Sequence, residues 1–129
     1  MVASSFVTVS LDPPLVAFCV QWTSTTWPRL EQAPYLGISV LAESQDHVAG
    51  QVASKNRDRF EGLDIHVSDE GAIFVKKATA WMLCSVESTI NAGDHGVVIM
   101  RIEGLSKYTE TDPLVFHGSR FRALAPQNA

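Results

Sequence analysis

The sequence predicts a mainly β fold, an antiparallel barrel that is closed or nearly so, with two short helices inserted early. Three observations predict it. Short runs rich in Val, Ile, Leu, Phe and Thr recur along the chain, separated by turn signals containing Gly, Pro or Asp. Only two segments carry helix signals, and both lie in the first half. The second half places strand after strand with no helix between them, whereas a parallel βαβ fold needs a helix at most crossovers.

The first element is the stretch Ala3-Ser-Ser-Phe-Val-Thr-Val-Ser-Leu-Asp-Pro-Pro14. Val7, Val9 and Leu11 alternate with Thr8 and Ser10, which predicts a half-buried strand. The proline pair ends it, because proline has no ladder N–H. Leu15 to Val20 is a continuous apolar run of six residues, a strand covered on both faces. Thr23-Ser-Thr-Thr26 then precedes Trp27-Pro28, a hydroxyl cap with proline in the first turn. A short helix follows and Pro34 ends it. Tyr35 to Leu41 is the next strand. Glu43 to Lys55 reads as a helix, with Val48, Ala49, Val52 and Ala53 on one stripe. Residues 56–62 form a charged loop carrying one aromatic.

Ile65–Val67 and Ala72–Val75 flank a turn at Ser68-Asp-Glu-Gly71. Ala80 to Ile90 is a long strand, with Ala80, Met82, Cys84, Val86 and Ile90 on one face and Trp81, Leu83, Glu87 and Thr89 on the other. The turn signals of Asn91-Ala-Gly-Asp-His-Gly96 join it to Val97–Ile102 as a hairpin. Leu114–His117 and Phe121–Leu124 close the fold. One domain, residues 1–124, is expected, with 125–129 as a flexible tail.

Hydrophobic residues make up 46% of the chain and charged residues 19%, an ordinary globular balance. Ten basic and fourteen acidic residues leave a formal charge of −4 with no basic run. Nucleic acid and anionic membranes are therefore not expected partners, since both select clustered Lys and Arg. No apolar stretch approaches the length of a membrane span. Cys19 and Cys84 sit in apolar runs without CxxC spacing. They are expected to be reduced and buried in a cytoplasmic protein, although sequence alone leaves a disulfide open.

Four polar spots are candidate chemistry. Ser4-Ser5 head the first strand. Ser24, Thr25 and Thr26 offer hydroxyls and free N–H groups at a helix start, a natural phosphate cradle or simply that helix's own cap. Arg57, Arg59 and Phe60 lie in the charged loop, where a guanidinium can hold a phosphate bidentately or merely be solvated. His95 lies in a glycine-flanked turn, from which an imidazole can approach a ligand closely or simply face solvent. His47, His66, His95 and His117 lack zinc-site spacing, so no metal is expected. Neither a G-x-S-x-G elbow nor a G-x-G-x-x-G fingerprint is present.

These spots recur in a familiar order. Ala3-Ser-Ser-Phe-Val-Thr-Val-Ser-Leu-Asp-Pro-Pro-Leu-Val16, Ser24-Thr-Thr-Trp-Pro28, Gly37-Ile-Ser-Val-Leu41, Ala53-Ser-Lys55, Asp58-Arg-Phe60, Ala80-Trp-Met-Leu-Cys84 and Ala92-Gly-Asp-His95 together resemble the flavin reductase-like family. The resemblance runs from residue 2 to about residue 124. It implies the FMN-binding split barrel, a Greek-key split β-barrel of six or seven strands. It also implies NAD(P)H:flavin oxidoreductase activity, with FMN or FAD and NADH or NADPH as cofactors. Such reductases work as homodimers and supply reduced flavin to a monooxygenase component.

Carried over residue by residue, Ala3, Ser4 and Ser5 would face the isoalloxazine and ribityl chain. Ser10, Leu11, Pro13 and Pro14 would bound the ring. Val20, Gln21, Ser24, Thr25 and Thr26 would reach the ribityl and phosphate. Lys55, Arg59 and Phe60 match a phosphate-side or adenine-side segment, and His95 matches the histidine near the nicotinamide and flavin. Three departures from the family pattern stand out. The usual helix and strand before the first stretch are not in this sequence, Ser4 replaces an Asn, and Met100-Arg101-Ile102 replaces a Gly-x-Val. The last change is expected to narrow the pocket or alter cofactor preference. A flavin-binding or carrier module without reductase activity is the alternative, and a ligand-free structural barrel a third reading.

Overall fold

A computed structural model describes residues 1–3, 5–54, 58–108 and 110–126. Strands β1 (Phe6–Leu11) and β2 (Pro14–Gln21) precede helix α1 (Trp27–Leu30) and strand β3 (Leu36–Val40). A 3₁₀ turn (Glu43–Gln45) leads into helix α2 (Asp46–Ala53). The rest is β: β4 (Ile65–Val67), β5 (Ile73–Val75), β6 (Ala80–Ala92), β7 (His95–Lys107), β8 (Val115–His117) and β9 (Arg120–Arg122). The expected mainly β, antiparallel architecture with two helices is what forms. The principal sheet has the order β1-β2-β7-β6-β3, and β4-β5 and β8-β9 are separate hairpins. Among the described residues the ladder does not return from β3 to β1, so the barrel is split rather than closed.

One face of the sheet builds the core. Val16, Phe18 and Val20 of β2 pack with Met82 and Cys84 of β6, Val98 and Met100 of β7, and Trp27 of α1. The Phe18 and Trp27 rings meet edge to face at 5.5 Å, an arrangement that their quadrupoles favour. Gly37 admits β5 beside β3: a Cβ there would run into the Ile73 carbonyl group. Gln45 is buried but fully used, accepting from the Ala42 N–H and donating to the Lys76 carbonyl, each at 2.9 Å. An isolated bridge between Ala42 and Pro113 ties the β8–β9 segment to the same corner.

Several expectations about faces are corrected, and β-bulges are the main cause. In β1 the register shifts between Thr8 and Ser10, so the regular alternation of Val7, Val9 and Leu11 fails. These residues are 58%, 51% and 96% exposed, and β1 is an edge strand rather than a half-buried one. In β6 the register shifts again between Val86 and Ser88. A one-residue slip moves every later side chain to the opposite face. Ile90 therefore leaves the face of Met82 and Cys84 and is 52% exposed.

The first helix ends at Leu30 rather than Ala33. On α2, Val48, Ala49 and Val52 are buried, whereas Ala53, the last helical residue, is exposed. Cys19 is exposed and only Cys84 is buried, both as free thiols. Burial, helped by the Glu103 carboxylate, pushes the Cys84 thiol up to about 11. No helix among the described residues is long and apolar enough to cross a membrane.

Candidate functional site

The site is built at one end of the β2–β7–β6 ladder. His95 opens β7 and pairs with Gln21 on one side and Ala92 on the other. The β6–β7 connection is only Gly93-Asp94, with Gly93 at φ +68° in the first turn position, a conformation that suits glycine in a two-residue hairpin. His95 Nδ1 lies 2.7 Å from Asp94 Oδ1. That hydrogen bond and the imidazole charge hold the Asp94 carboxyl below the usual carboxylate range. Asp94 is thus an anion at neutral pH. An Nδ1–H donated to it leaves Nε2 as the free ring nitrogen.

The chain then turns from Gln21 directly into the hydroxyl segment. The Ser24 N–H donates to the Gln21 carbonyl at 3.0 Å. Ser24 Oγ accepts from the N–H groups of Thr26 and Trp27 at 3.3 and 3.1 Å. Ser24 therefore caps the first turn, the plainer of its two sequence readings. Thr26 is different, because its Oγ1 accepts from Arg59 Nη1 at 3.3 Å. Arg59 is half-buried and has no carboxylate partner among the described residues. Its backbone is fixed by a residue that sequence reading passed over: Gln51 Nε2 donates to the carbonyls of Arg59 and Glu61 at 3.2 and 2.7 Å. Phe60, 37% exposed, completes the corner.

Other carried-over residues fall differently. Ser5 Oγ accepts from the Cys19 N–H at 3.1 Å and donates to the Cys19 carbonyl at 3.4 Å. Its hydroxyl extends the β1–β2 pairing and is not free for a ligand. Val20 is 4% exposed within the core, so its side chain is not available to a ligand. Ala3 is exposed at the entry to β1. Ser10, Leu11, Pro13 and Pro14 lie at the far end of the strand pair. Leu15 pairs with Arg101 where Gln21 pairs with His95, and six residues of strand span about 20 Å. They share no contact shell with His95, and only an extended ligand laid along β1–β2 would touch both ends. Ser4, Lys55 and Arg57 lie outside the described residues.

Met100 does not narrow the site. It is wholly buried in the core, while Arg101 points to the opposite face and is exposed. A cavity of about 530 Å³ is lined by Asp64, Lys76, Lys77, Trp81, Tyr108 and Thr111 and includes none of the predicted site residues. Among the described residues no His, Cys, Asp and Glu side chains gather in a metal-binding group.

The donor set suits a phosphorylated, extended, partly aromatic ligand. It combines a guanidinium with no carboxylate partner among the described residues, adjacent hydroxyls and an aromatic ring at one corner with an imidazole a few residues along the same edge. A family model described as a flavin reductase like domain matches residues 1–125. The chain belongs to the flavin reductase-like family.

Its relatives agree. The chain is 38% identical over 125 residues to a flavin reductase of Pseudomonas putida, covering 97% of this chain and 74% of that one. It is 35% identical to HsaB, the reductase subunit of a flavin-dependent monooxygenase from Rhodococcus jostii, covering 95% of this chain and 63% of that subunit. Among solved structures, the NADH:FAD oxidoreductase SgcE6 of Streptomyces globisporus, in complex with NAD and FAD fragments, superposes with a TM-score of 0.94 at 32% identity. That match covers all of this chain and 79% of SgcE6.

Proposed function

We propose that this chain is an NAD(P)H:flavin oxidoreductase that reduces FMN or FAD and supplies the reduced flavin to a monooxygenase component. The observation that carries this reading is the hydrogen-bonded corner running from His95 and Gln21 through Ser24 and Thr26 to Arg59. It lies within a chain that matches the family throughout. The chemistry available when both cofactors are bound is hydride transfer from nicotinamide to isoalloxazine. Arg59 and Thr26 hold the phosphate, and the backbone at Ala3, Val20 and Gln21 borders the ribityl and ring. Phe60 shields one side, and His95 orients the nicotinamide. None of these groups acts as a nucleophile, and none needs to, because positioning and water exclusion are the protein's contribution.

The direct test is NADH and NADPH oxidation with FMN or FAD in excess. A rate above that of free flavin is expected, and folded protein that adds nothing to the free-flavin rate would sink the proposal. His95→Ala is expected to lower kcat/KM for the nicotinamide substrate about tenfold while leaving the flavin dissociation constant within about twofold. Tight flavin binding without turnover in the unmodified protein would favour the carrier reading.

The reductase is proposed to work as a homodimer. The outer face of the sheet, opposite the core, presents Val7, Cys19, Ile90, Val97 and Ile99. Val7 is 58% and Ile90 52% exposed, and β1 leaves an open edge. Exposed contiguous apolar surface of this kind marks an interaction site. Labelling with a thiol reagent near pH 8 checks the arrangement. Cys19 is expected to react more slowly as protein concentration rises and the face is covered. Cys84, still a neutral thiol three units below its raised pKa of about 11, is expected to react only after unfolding. Concentration-independent labelling of Cys19 with a monomeric sedimentation mass would refute the dimer.

A further inference from the structure

We infer that Trp22 is a positioning residue for His95, with an indole that clamps the hairpin tip from which the imidazole projects. The inference rests on the reductase reading for its catalytic consequence, but its geometry stands apart from it. Two side-chain contacts make the clamp, beside a backbone hydrogen bond that the variants below retain. The Trp22 N–H donates to the Asp94 carbonyl at 3.0 Å, extending the β2–β7 ladder one residue into the turn. Trp22 Nε1 donates to Asn91 Oδ1 at 2.8 Å, reaching across to β6 on the other side of the tip. The six-membered ring of the indole lies against Gly96: a Cβ at that position would sit 2.7 Å from Cζ2 and 3.0 Å from Cζ3. Positions 91, 94 and 96 bracket His95 from both strands and from the turn.

Packing alone does not account for this placement. Trp22 is 43% exposed and stands outside the core cluster, so its burial contributes less than a core tryptophan would. What the indole does is remove freedom from a two-residue turn that would otherwise fray. The effect passes to the imidazole through the hairpin. The indole holds Asn91 and Gly96 on the two strands that flank the turn, and the Asp94 carboxylate between them holds His95 Nδ1 at 2.7 Å. His95 itself stands opposite Gln21 on β2. Small displacements of such a group cost rate, because a misplacement near 1 Å in a reacting pair reaches about a hundredfold. Gly96 is the necessary counterpart, since any side chain there would displace the ring.

The test uses Trp22→Phe, Trp22→Ala, Gly96→Ala and the double variant Trp22→Ala/Gly96→Ala in the full chain. Trp22→Ala is expected to raise KM for NADH about fivefold with the flavin dissociation constant unchanged, and Trp22→Phe to fall between it and the parent. In ¹⁵N spectra of the histidine rings, the His95 signals are expected to move from a single tautomer toward an averaged pattern. Gly96→Ala is expected to reproduce these changes in the parent and to add nothing in the Trp22→Ala background, the signature of coupled sites. Unchanged His95 signals in Trp22→Ala, or additive losses in the double variant, would overturn the clamp. If the parent shows no flavin reduction, the reductase reading fails, while the His95 spectra and the coupling measured by thermal melting still decide the clamp.

Discussion

Arg59→Ala is expected to raise the flavin dissociation constant by ten- to a hundredfold while leaving kcat at saturating flavin nearly unchanged. The guanidinium donates to Thr26 Oγ1 and has no carboxylate partner among the described residues, so it is available for an anion at little cost to the protein. A charge-assisted hydrogen bond is worth about 1.5–3 kcal/mol, which sets the size of the loss. Because the bond forms in ground and transition states alike, the loss belongs to binding and not to turnover. Lysine at the same position keeps the charge but loses the fork, and should recover only part of the affinity. Gln51→Ala, which frees the backbone at Arg59 and Glu61, should weaken binding in the same direction by less. Fluorescence titration with FMN and with FAD measures all three. Affinity unaltered in Arg59→Ala would move the phosphate elsewhere.

The elements of this fold were legible in the sequence, while several of its faces were not. Alternation, hydroxyl caps and glycine turns placed nearly every strand and both helices, because those signals are local. The bulges at Val9 and Glu87 are not local. Each depends on which partner strand sets the register, and each reversed the assignment of residues beyond it. Ile90 and the outer face were misread for that reason. The site divided along the same line. His95, Ser24 and Thr26 were singled out by residue type and turn context. Gln51 and Trp22 were missed because a glutamine on a helix and a tryptophan after a strand carry no signal until the loop or hairpin they hold is in view. For Trp22 one hint existed: Gly96 lies where a strand would ordinarily carry a side chain, and a strand glycine often marks close approach by another group.

Met100→Ala separates a core role from a pocket role for the segment that departs from the family pattern. Met100 is wholly buried, pairs with Val16 and Val86 across its neighbouring strands, and packs in the cluster of Phe18, Trp27, Met82 and Val98. Truncating a buried methionine removes its transfer free energy and leaves a cavity, which costs about 2–5 kcal/mol. For a chain of this length the midpoint of thermal unfolding should fall by roughly 10 °C. At temperatures where the variant stays folded, its flavin affinity and its preference between NADH and NADPH should match the parent. Leucine, close to methionine in volume, should cost under about 1.5 kcal/mol. An unshifted melting midpoint together with a changed coenzyme preference would place Met100 at the ligand instead. The core would then have to close without it, which its position between Val16 and Val86 does not allow.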